Sequence, residues 1–260
     1  MKYDLLEYAA TQVKNREIFL LNYGKDFRKF SYQLDALVNV WSRIGVGKDL
    51  KGRSHAGLLP FFNILRRHAI FGFQHIATYQ SFVAWLTFRP GLEALLVLGK
   101  FVDNPPNAKI WSDWLTNHKA YLGLFQGKSL ISKSLPRSSD FRKVLTRLND
   151  DFMHPNPSFT YRDMSIRESG QELSLEIDFF DVGSDIHEGH LLAYLNLIDL
   201  ILLASESLVN DLYGTLPDAR CVRNTFAEAE ASRATGLAIR NSAARKVMEE
   251  LGLWRFRFDA

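Results

Sequence analysis

One cysteine, Cys221, in 260 residues excludes an internal disulfide framework and any Cys-based zinc cluster. A chain this long buries ~70% of its unfolded surface and needs no such staple. A reducing, cytoplasmic setting follows as the expected compartment. Also missing are a glycine-rich dinucleotide fingerprint and a serine nucleophile elbow. Gly45-Val46-Gly47-Lys48 lacks the GxxxxGK[ST] spacing and follows helical sequence rather than a strand, so it is no phosphate loop. Long apolar runs are absent too. The longest, Leu191 to Ala204, is interrupted by Asn196 and Asp199 and falls short of the ~18–20 residues that span a bilayer. The N-terminus carries Asp4 and Glu7 with no apolar core, so neither a signal peptide nor membrane association is expected.

What is present is an ordinary globular composition, 47% hydrophobic and 23% charged, with its charge segregated. Residues 51–149 hold 14 Lys/Arg against 4 Asp/Glu, whereas residues 150–218 hold 2 against 14. A basic block of this size suits a polyanion such as RNA. It equally suits an acidic block of the same chain or of a second copy.

Periodicity places the elements. Residues 3–22 and Phe30 to Ile44 read as two amphipathic helices. A long helix is expected from about Pro60 to Phe88, with Pro90 starting or bending the next stretch to Val102. Ala108 to Phe125 reads as one helix with Trp111, Trp114, Leu115 and Leu122 on roughly one face. Gly127 to Ser139 is a basic, serine-rich loop, and Ser138 or Ser139 is expected to cap a helix from Asp140 to about Met153. Leu173, Leu175, Ile177 and Phe179 alternate with polar residues, and with Met164 and Ile166 before Ser169-Gly170-Gln171 they predict a β-hairpin. Asp185 and Glu188 form a capping box that opens an apolar helix from Ile186 to Tyr213. Ala219 to Leu251 is an Ala/Glu/Arg-rich segment suited to an exposed helix or an arm. The expected organisation is a helical segment at 1–57, a helical core at 58–217 with the hairpin at about 158–181, and a helix and tail at 218–260.

Three groups of residues bear chemistry. Glu93 is the only acid between Lys51 and Lys100 and sits among apolar neighbours, one turn from Arg89. The pair either holds the helix start or lines a cleft. Arg147 and His154 lie seven apart, about two α-helical turns, so both reach one face. An imidazole that moves a proton and a guanidinium that stabilises a phosphorane oxyanion are the parts needed to cleave a phosphodiester. Alternatively, His154 caps the helix end and Arg147 pairs with Asp150 or Asp151. His187 and His190 are spaced by three, not by the four of HExxH, and capping explains Glu188 between them, so no metal site is expected.

Together, Arg89-Pro90-Gly91-Leu92-Glu93-Ala94 on one helix and Arg147 to His154-Pro155 at the end of a later one resemble the HEPN superfamily. The resemblance spans roughly Phe61 to Pro157. It implies a mainly α helical bundle, here with one inserted β-hairpin, that often dimerises. Many members are metal-independent endoribonucleases whose motif is an Arg, four to six intervening residues and a His; Arg147 and His154, with six between, match its outer limit. Arg147 would hold the scissile phosphate, His154 would be the acid/base, and Glu93 a polar supporter. The residue after the Arg is commonly polar; here it is Leu148, with Asn149 one place later. Arg89, Arg142, Lys143 and Asn149 complete the expected RNA contacts. No cofactor and no metal are expected. The implied partners are RNA, a second copy of the chain, and an antitoxin or other protein in a toxin or phage-defence setting. The alternative is a non-catalytic helical module binding a protein or small ligand through a dimer interface.

Overall fold

The computed structural model describes residues 4–46, 59–153, 164–169, 172–177, 180–181 and 185–213. In chain order these contain α1 (Leu5–Val46), α2 (Leu59–Ile76), α3 (Ser81–Asp103), α4 (Asn107–Ser112), α5 (His118–Phe125) and α6 (Ser138–Arg147). The strands β1 (Met164–Ser169) and β2 (Glu172–Ile177) and the helix α7 (Asp185–Tyr213) follow. A 3-10 turn, Gly127–Leu130, succeeds α5, and a π-helical segment, Leu148–Met153, continues α6. The described chain is mainly helical. α1, α2, α3 and α7 form the central bundle, in which α2 and α7 each touch the other three.

α1 joins the two amphipathic stretches that periodicity separates. Its one departure is Tyr23 (φ −127°, ψ 26°), where helical geometry lapses before Gly24. The apolar face carries Phe19, Phe30, Leu37 and Val40 into the core.

The single helix expected from Pro60 to Phe88 is in fact two. α2 stops at Ile76, and the chain reverses through a turn in which Gln80 N–H bonds the His75 carbonyl (2.9 Å) and Tyr79 N–H the Ile76 carbonyl (3.0 Å). These are the paired bonds of a Schellman stop. Its left-handed position, usually glycine, is taken by Tyr79 at φ 59°. A non-glycine residue there costs about 1 kcal/mol, and no glycine or proline marks the turn. Pro90, expected to start or bend a helix, lies inside α3. It removes one backbone bond, but α3 is clamped there to α2. A Cβ on Gly91 would come within 2.9 Å of His68 Cβ.

Two other boundaries differ from expectation. Residues 108–125 form two short helices, because Thr116 and Asn117 N–H turn back to the Asp113 carbonyl (3.0 and 2.8 Å). Neither Ser138 nor Ser139 caps α6. The cap position is Arg137 at φ 57°, whose side chain does not cap the helix backbone; its Nε pairs with Asp140 Oδ2 at 2.8 Å. The α-helix ends at Arg147 rather than Met153. β1 and β2 pair antiparallel, with Met164 opposite Ile177 and Ile166 opposite Leu175. Residues 158–163, 170–171, 178–179 and 214–260 lie outside the described part, with the readings that fall on them.

One residue fixes the bundle. Tyr194 on α7 is fully buried, with ring centroids 6.2 Å from Phe73 (α2), 5.5 and 5.3 Å from Trp85 and Phe88 (α3), and 6.3 Å from Phe30 (α1). Its hydroxyl donates to the Ala69 carbonyl at 2.7 Å. Burial pushes the phenol well above its ordinary pKa, so it remains a donor. Gly72 makes room, since a Cβ there would overlap the Tyr194 hydroxyl. Among the described helices, α3 and α7 are long and apolar enough to cross a membrane, but 61% and 78% of their apolar stretches are buried in this bundle.

Gly72→Ala is expected to destabilise the protein by about 1–3 kcal/mol through overpacking, despite a helix-propensity gain of about 1 kcal/mol. Gly123→Ala in α5, whose Cβ would meet nothing within 4 Å, is expected to be neutral or stabilising. Urea unfolding of the two variants checks the contrast.

Candidate functional site

The π segment that follows Arg147 packs against α3, the helix that carries Glu93. α6 buries Phe141, Val144 and Leu145, and Leu148 continues this face into the π segment, which packs against α3. The opposite face exposes Arg142, Lys143 and Arg147, while Asn149 is half-buried. Lys143 Nζ lies 3.8 Å from Asp140 Oδ1. On α3, Arg89 Nε bonds Glu93 Oε1 at 2.8 Å, with 23% and 39% of the two side chains exposed. That is an intrahelical ion pair open to water, worth about 0.3–0.5 kcal/mol. Glu93 is thus not a buried, uncompensated carboxylate.

The π segment changes one argument. Two turns of α-helix bring residues 147 and 154 to one face only at 3.6 residues per turn. From Leu148 to Met153 each bond closes a wider turn, so that angular relation does not carry through. His154 lies outside the described residues. Isolated π segments inside helices are frequent at functional sites, and this one connects Arg147 to the approach to His154.

At the C-terminus of α3, Asp103 organises the basic loop. Ser132 Oγ (2.8 Å), Ser134 N–H (2.9 Å) and Lys133 N–H (3.2 Å) all donate to its carboxylate. Burial would raise its pKa, but the hydrogen bonds from Ser134, Ser132 and Lys133 outweigh burial and hold it below the ordinary carboxylate value. The loop therefore packs on α3, with Leu135 and Ser132 against Gly99.

His187 and His190 are core residues. Trp85 Nε1–H donates to His190 Nδ1 at 2.9 Å, which requires that nitrogen to be unprotonated. His187 Nδ1 lies 3.1 Å from Ser81 Oγ, and its ring is 4.2 Å from that of Tyr79. Both imidazoles are buried, each Nδ1 is engaged, and no group of three metal-ligating side chains occurs among the described residues. Ser81 N–H bonds Asp181 Oδ2 (3.1 Å) and Asp181 N–H the Tyr79 carbonyl (2.7 Å). Gln80 adds bonds from Gln12 (2.9 Å) and with Tyr8. This network ties α1, the α2–α3 turn and α7 together. Asp199, another polar residue inside the apolar helix, accepts from Gln33 Nε2 of α1 at 2.6 Å.

A feature that sequence reading missed is a cleft of about 540 Å³ beside α4 and α5, lined by Trp111, Ser112, Trp114, His118, Tyr121 and Gln126. Two tryptophans in four residues were its signal, but reading 108–125 as one helix hid the concavity. No protein-family model matches the chain, and neither the curated proteins nor the solved structures yield a match.

Burial lowers the His187 pKa from 6.5 to about 4. The folded state thus binds fewer protons than the unfolded state between those values, so this stability is full above pH 6.5 and is lost as the pH falls towards 4. The shift corresponds to about 3 kcal/mol. His187→Gln is expected to flatten the fall in unfolding free energy between pH 6.5 and 4. Equal pH slopes in the two proteins would reject this origin.

Proposed function

We propose that this protein is a metal-independent endoribonuclease of the HEPN type, working in the cytoplasm as a toxin or phage-defence component. The observation that carries the reading is the amphipathic α6. It buries Phe141, Val144 and Leu145 and presents Arg142, Lys143 and Arg147 to solvent. It then runs through a π segment, packed on the Arg89–Glu93 helix, towards His154. In this mechanism the RNA 2′-hydroxyl attacks the adjacent phosphorus and the 5′-oxygen leaves. His154 moves the proton, and Arg147 balances the charge on the phosphorane oxygens. The products are a 2′,3′-cyclic phosphate and a 5′-hydroxyl. Arg142 and Lys143 hold the backbone, with Asn149 beside the catalytic turn. Arg89 and Glu93 support the site from α3.

A second reading, a non-catalytic module that pairs with a second copy, draws on α1. Leu6, Val13 and Leu20 lie seven residues apart on the part of α1 that precedes the lapse at Tyr23 and are 76%, 63% and 44% exposed. An apolar stripe open to water suits cover by the same stripe of a second copy.

Total RNA incubated with the wild type in EDTA is expected to yield cyclic-phosphate and 5′-hydroxyl ends. His154→Ala is expected to lose about 10²–10⁴-fold in rate, with binding weakening steeply as salt rises. Unchanged cleavage by His154→Ala ends the ribonuclease reading. Inactive wild type that light scattering finds dimeric, and that Leu20→Glu makes monomeric, establishes the second.

A further inference from the structure

We propose that the cleft beside α4 and α5 is a stacking site for an unpaired base of single-stranded RNA, with the exposed lysines of these two helices, Lys109 and Lys119, holding the neighbouring phosphates. The ligand class rests on the ribonuclease reading, but the residues are separate from those of the cleavage site. The turn at Asp113–Asn117 creates the site by folding α5 back beside α4. This leaves Trp111 and Trp114 36% and 47% exposed across a concave surface. Trp111 is fixed from behind by Phe61 (4.8 Å) and Phe101 (6.4 Å) of the bundle. Trp114 leans on Tyr121, 6.1 Å away at 51°. The indoles are therefore held in place yet open on one side. A cavity of about 540 Å³ falls within the range of small-ligand sites.

The lining chemistry selects the ligand. It offers π-faces from Trp111, Trp114 and Tyr121 and polar edges from Ser112, His118 and Gln126, with no carboxylate among the lining residues. Exposed Lys109 and Lys119 lie on α4 and α5, the two helices that form it, with Asp113 at the turn between them. A quaternary ammonium guest, which aromatic cages also hold, would meet like charge from these two lysines. A base joined to phosphates meets stacking surfaces and opposite charge, the combination by which proteins bind single strands without reading their sequence.

The test uses the full chain in EDTA with a short 2′-O-methyl oligoadenylate, which lacks the attacking hydroxyl and cannot be cleaved. An abasic oligomer of equal length is the control, and tryptophan fluorescence is the readout. The wild type is expected to bind the base-bearing strand at least about fivefold more tightly than the abasic one, with quenching. Trp114→Ala is expected to fall to the abasic affinity while keeping the same salt dependence, and Trp114→Phe to retain part of the preference. Equal affinity of the wild type for both strands, or an undiminished preference in Trp114→Ala, overturns the proposal. A base preference in a protein that cleaves no RNA upholds the stacking site and ends the ribonuclease reading. Cleavage without a base preference does the reverse.

Discussion

The bundle depends on a phenol set into a gap the width of a methyl group. Tyr194 reaches from α7 across Gly72 to the Ala69 carbonyl and touches aromatic rings of the three other central helices. Each such ring pair contributes about 0.5–1.5 kcal/mol beyond its burial. The hydrogen bond removes the cost of taking the hydroxyl out of water. It also ties α7 to one point on α2, the Ala69 carbonyl. Apolar contact between smooth leucine faces would leave their register loosely defined.

The second constraint is the reversal at Tyr79. A left-handed tyrosine is tolerated because the surroundings over-determine it. Its ring is sealed against His187 and Phe19, its carbonyl accepts from Asp181, and Gln80 is bonded from α1. By fixing where α3 begins, this turn sets the height at which Arg89 and Glu93 stand and where α3 meets the π segment. The neutral His187 belongs to the same knot. The site proposed for chemistry is thus positioned by residues with no part in it.

The functional surface is arranged around that frame. Of the described basic residues in 51–149, Arg142, Lys143 and Arg147 stand on the exposed face of α6, Lys133 on the loop tied to Asp103, and Lys109 and Lys119 on α4 and α5, while Arg66 and Arg67 are exposed on α2. The core behind them is apolar and aromatic. A polyanion-binding surface needs this division: charge that keeps its water until the ligand arrives, backed by packing that keeps the charges from collapsing onto one another. The cleft adds exposed π-faces, which charge alone does not provide.

The sequence determined the helical class, the major apolar segments, the Arg89–Glu93 pair and the position of α7. Each is a local pattern of period or spacing that a neighbouring turn enforces. It did not show that residues 60–88 break at Tyr79, because no glycine or proline stands there and the turn is held by Asp181 and His187, about a hundred residues away in the chain. Nor did it show that Pro90 is carried inside a helix, that Arg147 is followed by a π segment, or that residues 108–125 fold back on themselves. Those outcomes were decided by tertiary packing. A strained residue, a forfeited hydrogen bond or a widened turn costs about 1–3 kcal/mol locally, and only contacts brought in by the rest of the fold offset it.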